Sequence, residues 1–207
     1  MRPRPEFIFF DLGNVLVSFD RERAFRQMAA VSGVDPAAVR RVMDSGLQLS
    51  LERGSLDWRG FHAEFSRLTG SRPPAADLAH AASDMFSLRV EMLPVIGALE
   101  RIGMPVGILS NTCDAHWSHL LGRRFAILPG RFGPIVLSHE EGCLKPEPAI
   151  YARATARAQV PPERIFFCDD VPAHVEAARA AGWDAEVFVS AAGLVDALAR
   201  RGLHLGL

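Results

Sequence analysis

Three short apolar runs pass directly into polar residues, and that pattern restricts the possible folds more than anything else in the chain. Phe7 to Phe10 lead into Asp11, Pro105 to Leu109 into Ser110-Asn111-Thr112, and Ile165 to Cys168 into Asp169-Asp170. A continuous apolar run of this length reads as a strand buried on both faces, which requires helices over both sides of its sheet. The intervening segments supply them. Helices are predicted over Glu91 to Ile102 with Gly103 as stop, Asp114 to Leu121, Glu147 to Ala158, about Ala173 to Ala181 with Gly182 as stop, and Leu194 to Arg200. Ile135 to Leu137 and Glu186 to Val189 are weaker strand candidates. Strands alternating with helices of this length predict an α/β fold, a doubly wound Rossmann-like parallel sheet.

Between the first strand and the rest the pattern is different. Ala24, Phe25, Met28 and Val31 recur at helical spacing, and Asp35-Pro36 reads as an N-cap and first helical residue before Val39, Val42 and Met43. Gly54-Ser55 stops one segment and caps the next, giving a stripe of Trp58, Phe61, Phe65 and Leu68 before Gly70. After Ser71-Arg72-Pro73-Pro74, a last helix carries Leu78, Ala81, Ala82, Met85 and Phe86. Residues 21 to about 88 therefore read as an all-helical insert without a strand. The predicted division is a core domain of residues 1–18 and 89–207 and a helical cap domain of residues 19–88.

The 207 residues, 49% of them hydrophobic, suffice for one well-cored domain with a small second one. A formal charge of -1 gives no reason to expect nucleic acid as a partner. No apolar run approaches the roughly 20 residues of a membrane span, so no membrane partner is expected. Met1-Arg2-Pro3-Arg4-Pro5 leads into a strand and not into the apolar core of a secretory leader, so a cytoplasmic location is expected. Cys113, Cys143 and Cys168 are odd in number and lack metal-type spacing, which predicts reduced thiols.

In a parallel sheet the strand ends share one edge, so Asp11, Ser110-Asn111 and Asp169-Asp170 are predicted to meet in one crevice. The three carboxylates offer hard oxygens suited to Mg²⁺. Ser110 and Asn111 bring hydroxyl and amide donors for an oxyanion. Lys145, in Gly142-Cys143-Leu144-Lys145-Pro146-Glu147-Pro148, adds a cation able to hold both Asp11 and a phosphoryl group.

Asp11-Leu12-Gly13-Asn14-Val15-Leu16 resembles the first motif of the haloacid dehalogenase-like (HAD) superfamily, and the later residues continue the likeness along nearly the whole chain. The resemblance makes Asp11 the nucleophile, Ser110 the second-motif hydroxyl, Lys145 the third-motif lysine and Asp169-Asp170 the metal-binding acids. Lys145 to Tyr151, and Asp169 through Val175-Glu176-Ala177-Ala178 to Gly182, are similar to the subfamily with a helical cap after the first motif. Asp-Leu-Gly-Asn-Val with Leu-Ser-Asn-Thr resembles the sugar-phosphate phosphatases typified by α-D-glucose-1-phosphate phosphatase. The implied activity is Mg²⁺-dependent hydrolysis of a small phosphorylated metabolite through an aspartyl-phosphate, by a monomer or homodimer. The implied metal ligands are Asp11, the Gly13 carbonyl, Asp169 and Asp170.

One position departs from the family pattern. Its phosphatases usually carry an acid/base aspartate two residues after the nucleophile, and here that residue is Gly13. The glycine keeps its carbonyl for a metal but has no proton to give. His116 and His174 are candidate substitutes, Cys113 is a candidate thiol beside the site, and Asp20 lies near the cap hinge. Arg21, Trp58 and Arg59 are cap residues that periodicity cannot sort into crevice-facing and not. Two other functions use the same residues: a metal-independent 2-haloacid dehalogenase, against which the paired acids argue, and a non-catalytic phospho-ligand binder, for which Gly13 is the support.

Overall fold

A computed structural model describes residues 4–122, 125, 128 and 130–207, so Met1 to Pro3 lie outside the described residues. The first strand, β1 (Phe7–Phe10), is the middle of a five-stranded sheet. The chain then forms β2 (Val17–Phe19) and five helices, α1 (Arg21–Ser32), α2 (Pro36–Val42), α3 (Gln48–Glu52), α4 (Trp58–Thr69) and α5 (Ala75–Ser83). It returns through β3 (Phe86–Leu88) to α6 (Leu93–Arg101), β4 (Val106–Ser110), α7 (Asp114–Leu121), β5 (Ile135–Leu137) and the short α8 (Ser138–Glu141). The last part comprises α9 (Pro148–Ala158), β6 (Ile165–Asp169), α10 (Pro172–Ala180), β7 (Asp184–Val187) and α11 (Ala191–Ala199).

The sheet order is β5-β4-β1-β6-β7 and every pair is parallel. The fold is therefore the expected doubly wound α/β type, with successive strands added first on one side of β1 and then on the other. That reversal leaves a crevice at the C-terminal end of β1. Alternate residues serve opposite faces: Ile8, Phe10, Ile108 and Phe166 join one apolar cluster with α6 and α11 residues, while Phe7, Phe9, Leu109 and Phe167 join another with α9 and α10. Register does the rest. Phe10 lies beside Ile108 and Cys168, so the residues that follow emerge together at one edge.

Helices α1 to α5 build a third cluster from Phe25, Met28, Val39, Leu51, Phe61, Phe65 and Leu78, joined by Cys113 at the start of α7. Two stripe members face solvent instead: Val31 and Leu68 are exposed, while Ala29 is buried. The N-cap of α4 is Asp57, whose side chain accepts from the Gly60 N–H, where the sequence suggested Ser55. A larger correction concerns strands. The segment expected to be all helical ends in β3, which pairs antiparallel with β2 in the register Val17–Leu88 to Phe19–Phe86. Phe86 leaves the predicted helix because α5 stops at Ser83, and its ring meets Phe19 edge-on across the ribbon at 6.3 Å. Among the described residues, no helix is long and apolar enough to cross a membrane.

Candidate active site

The strand ends converge as predicted. The Asp11 N–H donates to the Cys168 carbonyl at 3.0 Å, which extends the β1–β6 ladder by one residue and brings the Asp11 carboxylate beside that of Asp169. Lys145 reaches both: its Nζ donates to Asp11 Oδ1 at 2.7 Å and to Asp169 Oδ2 at 2.6 Å. All three are nearly sealed from solvent, at 7%, 0% and 3% exposure for Asp11, Asp169 and Lys145. Buried charges this close persist only when paired.

The two acids respond differently. Burial pushes Asp11 up to about 6, reinforced by the Asp169 charge and resisted by Lys145. Burial also acts to raise Asp169, but the Lys145 ammonium and the His174 hydrogen bond outweigh it and hold that carboxyl down at about 2. For Lys145, burial works against the cation and the two carboxylates more than compensate, so its pKa is raised.

Asp170 completes the acid group. Oxygens of Asp11, Asp169 and Asp170 lie within 4.8 Å of one another, a spacing and donor set that suit a hard divalent cation. Asn14 fixes Asp170: its Nδ2 donates to Asp170 Oδ2 at 2.9 Å, from a backbone in the left-handed region with φ of 53°. Asparagine is among the few residues that take this conformation at modest cost. The chain thus turns sharply at Gly13-Asn14 and points the Asn14 amide back at the second acid.

Ser110 is buried at the tip of β4 and lines the crevice together with Asn111. Asn111 spends much of its amide on the neighbouring loop, donating from Nδ2 to the Lys145 carbonyl at 2.9 Å and accepting the Lys145 N–H on Oδ1 at 2.8 Å. This clamp sets the backbone from which Lys145 reaches the two aspartates.

The other candidates separate. His174 Nδ1 lies 3.1 Å from each Asp169 oxygen, so the ring braces that carboxylate from α10. His116 lines the crevice, but burial, with His119 and His139 adding to it, lowers its pKa to about 4 and leaves it neutral at pH 7. Asp20 caps α1, accepting the Arg23 N–H at 2.9 Å. Cys113 is buried, and burial raises its thiol to about 11, so it is a packing group. Of the three cap residues, Arg21 lines the crevice, Trp58 stacks on Phe61 at 4.9 Å, and Arg59 is exposed.

Three further residues enter the site without an earlier prediction. Asn14 is the first. Phe19 is the second: a Cβ added to Gly13 would sit 3.0 Å from its Cε1, so the ring occupies the space an aspartate there would claim. The third is Glu52, at the end of α3, which lines the same crevice as Gly13, Ser110 and Asn111. A polar pair four residues apart, Gln48 and Glu52, beside apolar Leu47 and Leu51 is the only trace of it in the sequence.

Comparison with known proteins agrees with this architecture. A predicted HAD-like family hydrolase from Porphyromonas gingivalis superposes with a TM-score of 0.81 at 27% identity, covering 97% of this chain and 98% of that one. A HAD family enzyme from Bacteroides thetaiotaomicron, solved as a complex with magnesium and inorganic phosphate, gives a TM-score of 0.81 at 24% identity, over 90% of this chain and 95% of that one. Acyl-CoA dehydrogenase family member 10 from Mus musculus is 28% identical over 188 residues, which are 84% of this chain but only 17% of the mouse protein. The haloacid dehalogenase-like hydrolase family matches residues 6–182, from the strand before Asp11 to the end of the helix after Asp170, and the chain belongs to that family.

Proposed function

We propose that this hydrolase is a Mg²⁺-dependent phosphatase that cleaves a small phosphate monoester, foremost a sugar phosphate, through an aspartyl-phosphate on Asp11. The observation that carries the reading is the buried Asp11–Lys145–Asp169 arrangement with Asp170 alongside. A carboxylate nucleophile, a cation 2.7 Å from it and a hard-oxygen cation site are what attack on a phosphoryl group needs. The fold also accommodates such a ligand set, since the Bacteroides enzyme holds magnesium and phosphate together.

Asp11, Asp170 and the Gly13 carbonyl would hold the metal, with Asp169 bound directly or through water. Bound there, Mg²⁺ would offset the negative charge of the phosphoryl oxygens. Asp11 attacks phosphorus in line and the ester oxygen departs. Water then cleaves the acyl phosphate. Lys145 keeps Asp11 oriented and, once the carboxylate becomes an acyl phosphate, is freed to bind phosphoryl oxygen. Ser110 supplies a hydroxyl donor and Asn111 both an amide and the clamp on Lys145. Residues 19–88 serve as the cap domain over a core of residues 1–18 and 89–207. The enzyme works on a cytoplasmic metabolite as a monomer or homodimer.

The test is phosphate release from a panel of sugar phosphates, with Mg²⁺ and with chelator, by the wild type and Asp11→Asn. Turnover that needs both the metal and Asp11 is expected. Metal-independent chloride release from 2-chloropropionate would establish a dehalogenase, and phosphate-ester binding without any turnover a non-catalytic binder.

A further inference from the structure

Gly13 leaves a phosphatase of this design without a proton donor beside its nucleophile. Neither histidine replaces it. His174 is committed to Asp169, and His116 is neutral against the edge of Phe86 at 5.4 Å. Among the described residues that line the crevice, one ionisable carboxyl is left. Glu52 enters it from the helical side, with Gly13 and the β4 tip on the other walls.

Glu52 is held there by both its side chain and its backbone. Arg21 Nη2 donates to Gln48 Oε1 at 3.0 Å, and Gln48 Nε2 donates to Glu52 Oε1 at 2.7 Å. The Ser138 hydroxyl donates to the Glu52 carbonyl at 2.6 Å, and Ser138 Oγ in turn accepts the Thr112 N–H at 2.9 Å. The side chain is thus tied to α1 through Gln48, and its backbone is tied to the loop after β4. The Gln48 bond engages Oε1 and leaves Oε2 able to carry a proton.

Resting on the phosphatase reading, we propose that Glu52 is the general acid/base of this enzyme, delivering from the cap the proton that Gly13 cannot. In the first step an Asp11 oxygen bonds to phosphorus while the P–O ester bond breaks, and the leaving oxygen takes the Glu52 proton to depart as an alcohol. In the second, the Glu52 carboxylate accepts a proton from water as that water bonds to phosphorus. The Asp11 O–P bond breaks, inorganic phosphate leaves, and both carboxyl groups are restored. Burial raises the Glu52 pKa, against the Gln48 hydrogen bond and the Arg21 and Lys145 charges, which is the direction a general acid requires. The other titratable groups around it are His116 and Cys113 of α7 and His139 of α8, whose Nδ1 is 3.1 Å from the Thr112 carbonyl.

Glu52→Gln preserves the Gln48 bond and removes the proton, so it isolates the role. With Mg²⁺ present, hydrolysis of alkyl phosphates should fall by about 10²- to 10⁴-fold, while the pre-steady-state burst of nitrophenolate from p-nitrophenyl phosphate is unchanged, because that leaving group needs no proton. The alkaline limb of kcat/KM against pH on alkyl phosphates should vanish in the variant. Gly13→Asp in the Glu52→Gln background, with Phe19→Ala to clear the ring, should restore part of the lost rate. Equal losses on both ester types, or no loss, would overturn the role of Glu52 while leaving the phosphatase intact. A wild type that releases phosphate from no ester defeats the phosphatase reading, and this proposal with it. Where Glu52→Gln does not fold, Glu52→Asp, which withdraws the carboxyl by one methylene, should show the same selectivity for poor leaving groups in milder form.

Discussion

At the scale of the residue, Lys145 decides whether this site is a stable part of the fold or a source of repulsion. Two carboxylates lie within hydrogen-bonding distance of one buried ammonium. Removing one partner of such a group typically costs about 3–5 kcal/mol, because the remaining charge stays buried without compensation. In Lys145→Met two acids are left facing each other, and the cheapest response is for one to take up a proton. Asp11, already raised to about 6 by burial and Asp169, would rise further. A carboxyl whose folded pKa lies above its unfolded value contributes most below the unfolded value and loses that contribution as pH rises through the folded one. The destabilisation of Lys145→Met should therefore be small near pH 4 and grow toward the full amount by pH 8. Urea midpoints at those two pH values, with an unchanged m-value, measure it. A penalty independent of pH would mean that the lysine stabilises mainly by packing, for instance over the Phe167 ring 5.5 Å away.

Single elements show why some of this was readable in advance. β1, β4 and β6 announce themselves because burial on both faces writes an uninterrupted apolar run, and a run that stops at a polar residue marks the site edge as well. Asp11, Ser110 and Asp169 were legible for that reason. The β2–β3 ribbon was not, since two three-residue strands separated by five helices pair through contacts that no local pattern records. Glu52, Asn14 and Phe19 share that limit: each matters through what tertiary structure places opposite it. Gly107 on β4 carries a prediction of the same tertiary kind. It pairs with Phe9, and a Cβ there would lie 2.5 Å from the Pro134 carbonyl oxygen and 2.7 Å from Phe9 Cε1. Gly107→Ala should cost about 1–3 kcal/mol by overpacking, read as a lower melting temperature. Gly97→Ala in α6, with nothing within 4 Å of the added Cβ, should instead stabilise by about 0.5–1 kcal/mol. Equal effects at the two glycines would count against a steric origin.

Across the whole molecule, the site depends on how α3 meets the core. The crevice between them has a volume of about 80 Å³. Ligand pockets usually begin near 300 Å³, so the distance at which the helical part stands from the core governs how large a ligand the crevice could admit. Three contacts bring α3 in: the Ser138 bond to the Glu52 carbonyl, the Arg53 guanidinium paired through both Nη atoms with the Glu147 carboxylate, and Gly54 against the His139 backbone. The Arg53–Glu147 pair is well exposed, so it should contribute little to stability, and salt should weaken it. Its effect on turnover is expected to be larger, because it fixes the residue next to Glu52. Arg53→Ala should leave the melting temperature nearly unchanged and lower kcat/KM on alkyl phosphates on the order of tenfold. Gly54→Ala attacks the same approach sterically, since its Cβ would fall 2.1 Å from the His139 carbonyl oxygen at a backbone φ of +73°. If both act by holding α3 against the core, the double variant should be little worse than Gly54→Ala alone. Multiplying losses in kcat/KM would instead mean that Arg53 acts on the substrate directly, and raised salt should then slow the wild type without bringing it to the rate of Arg53→Ala.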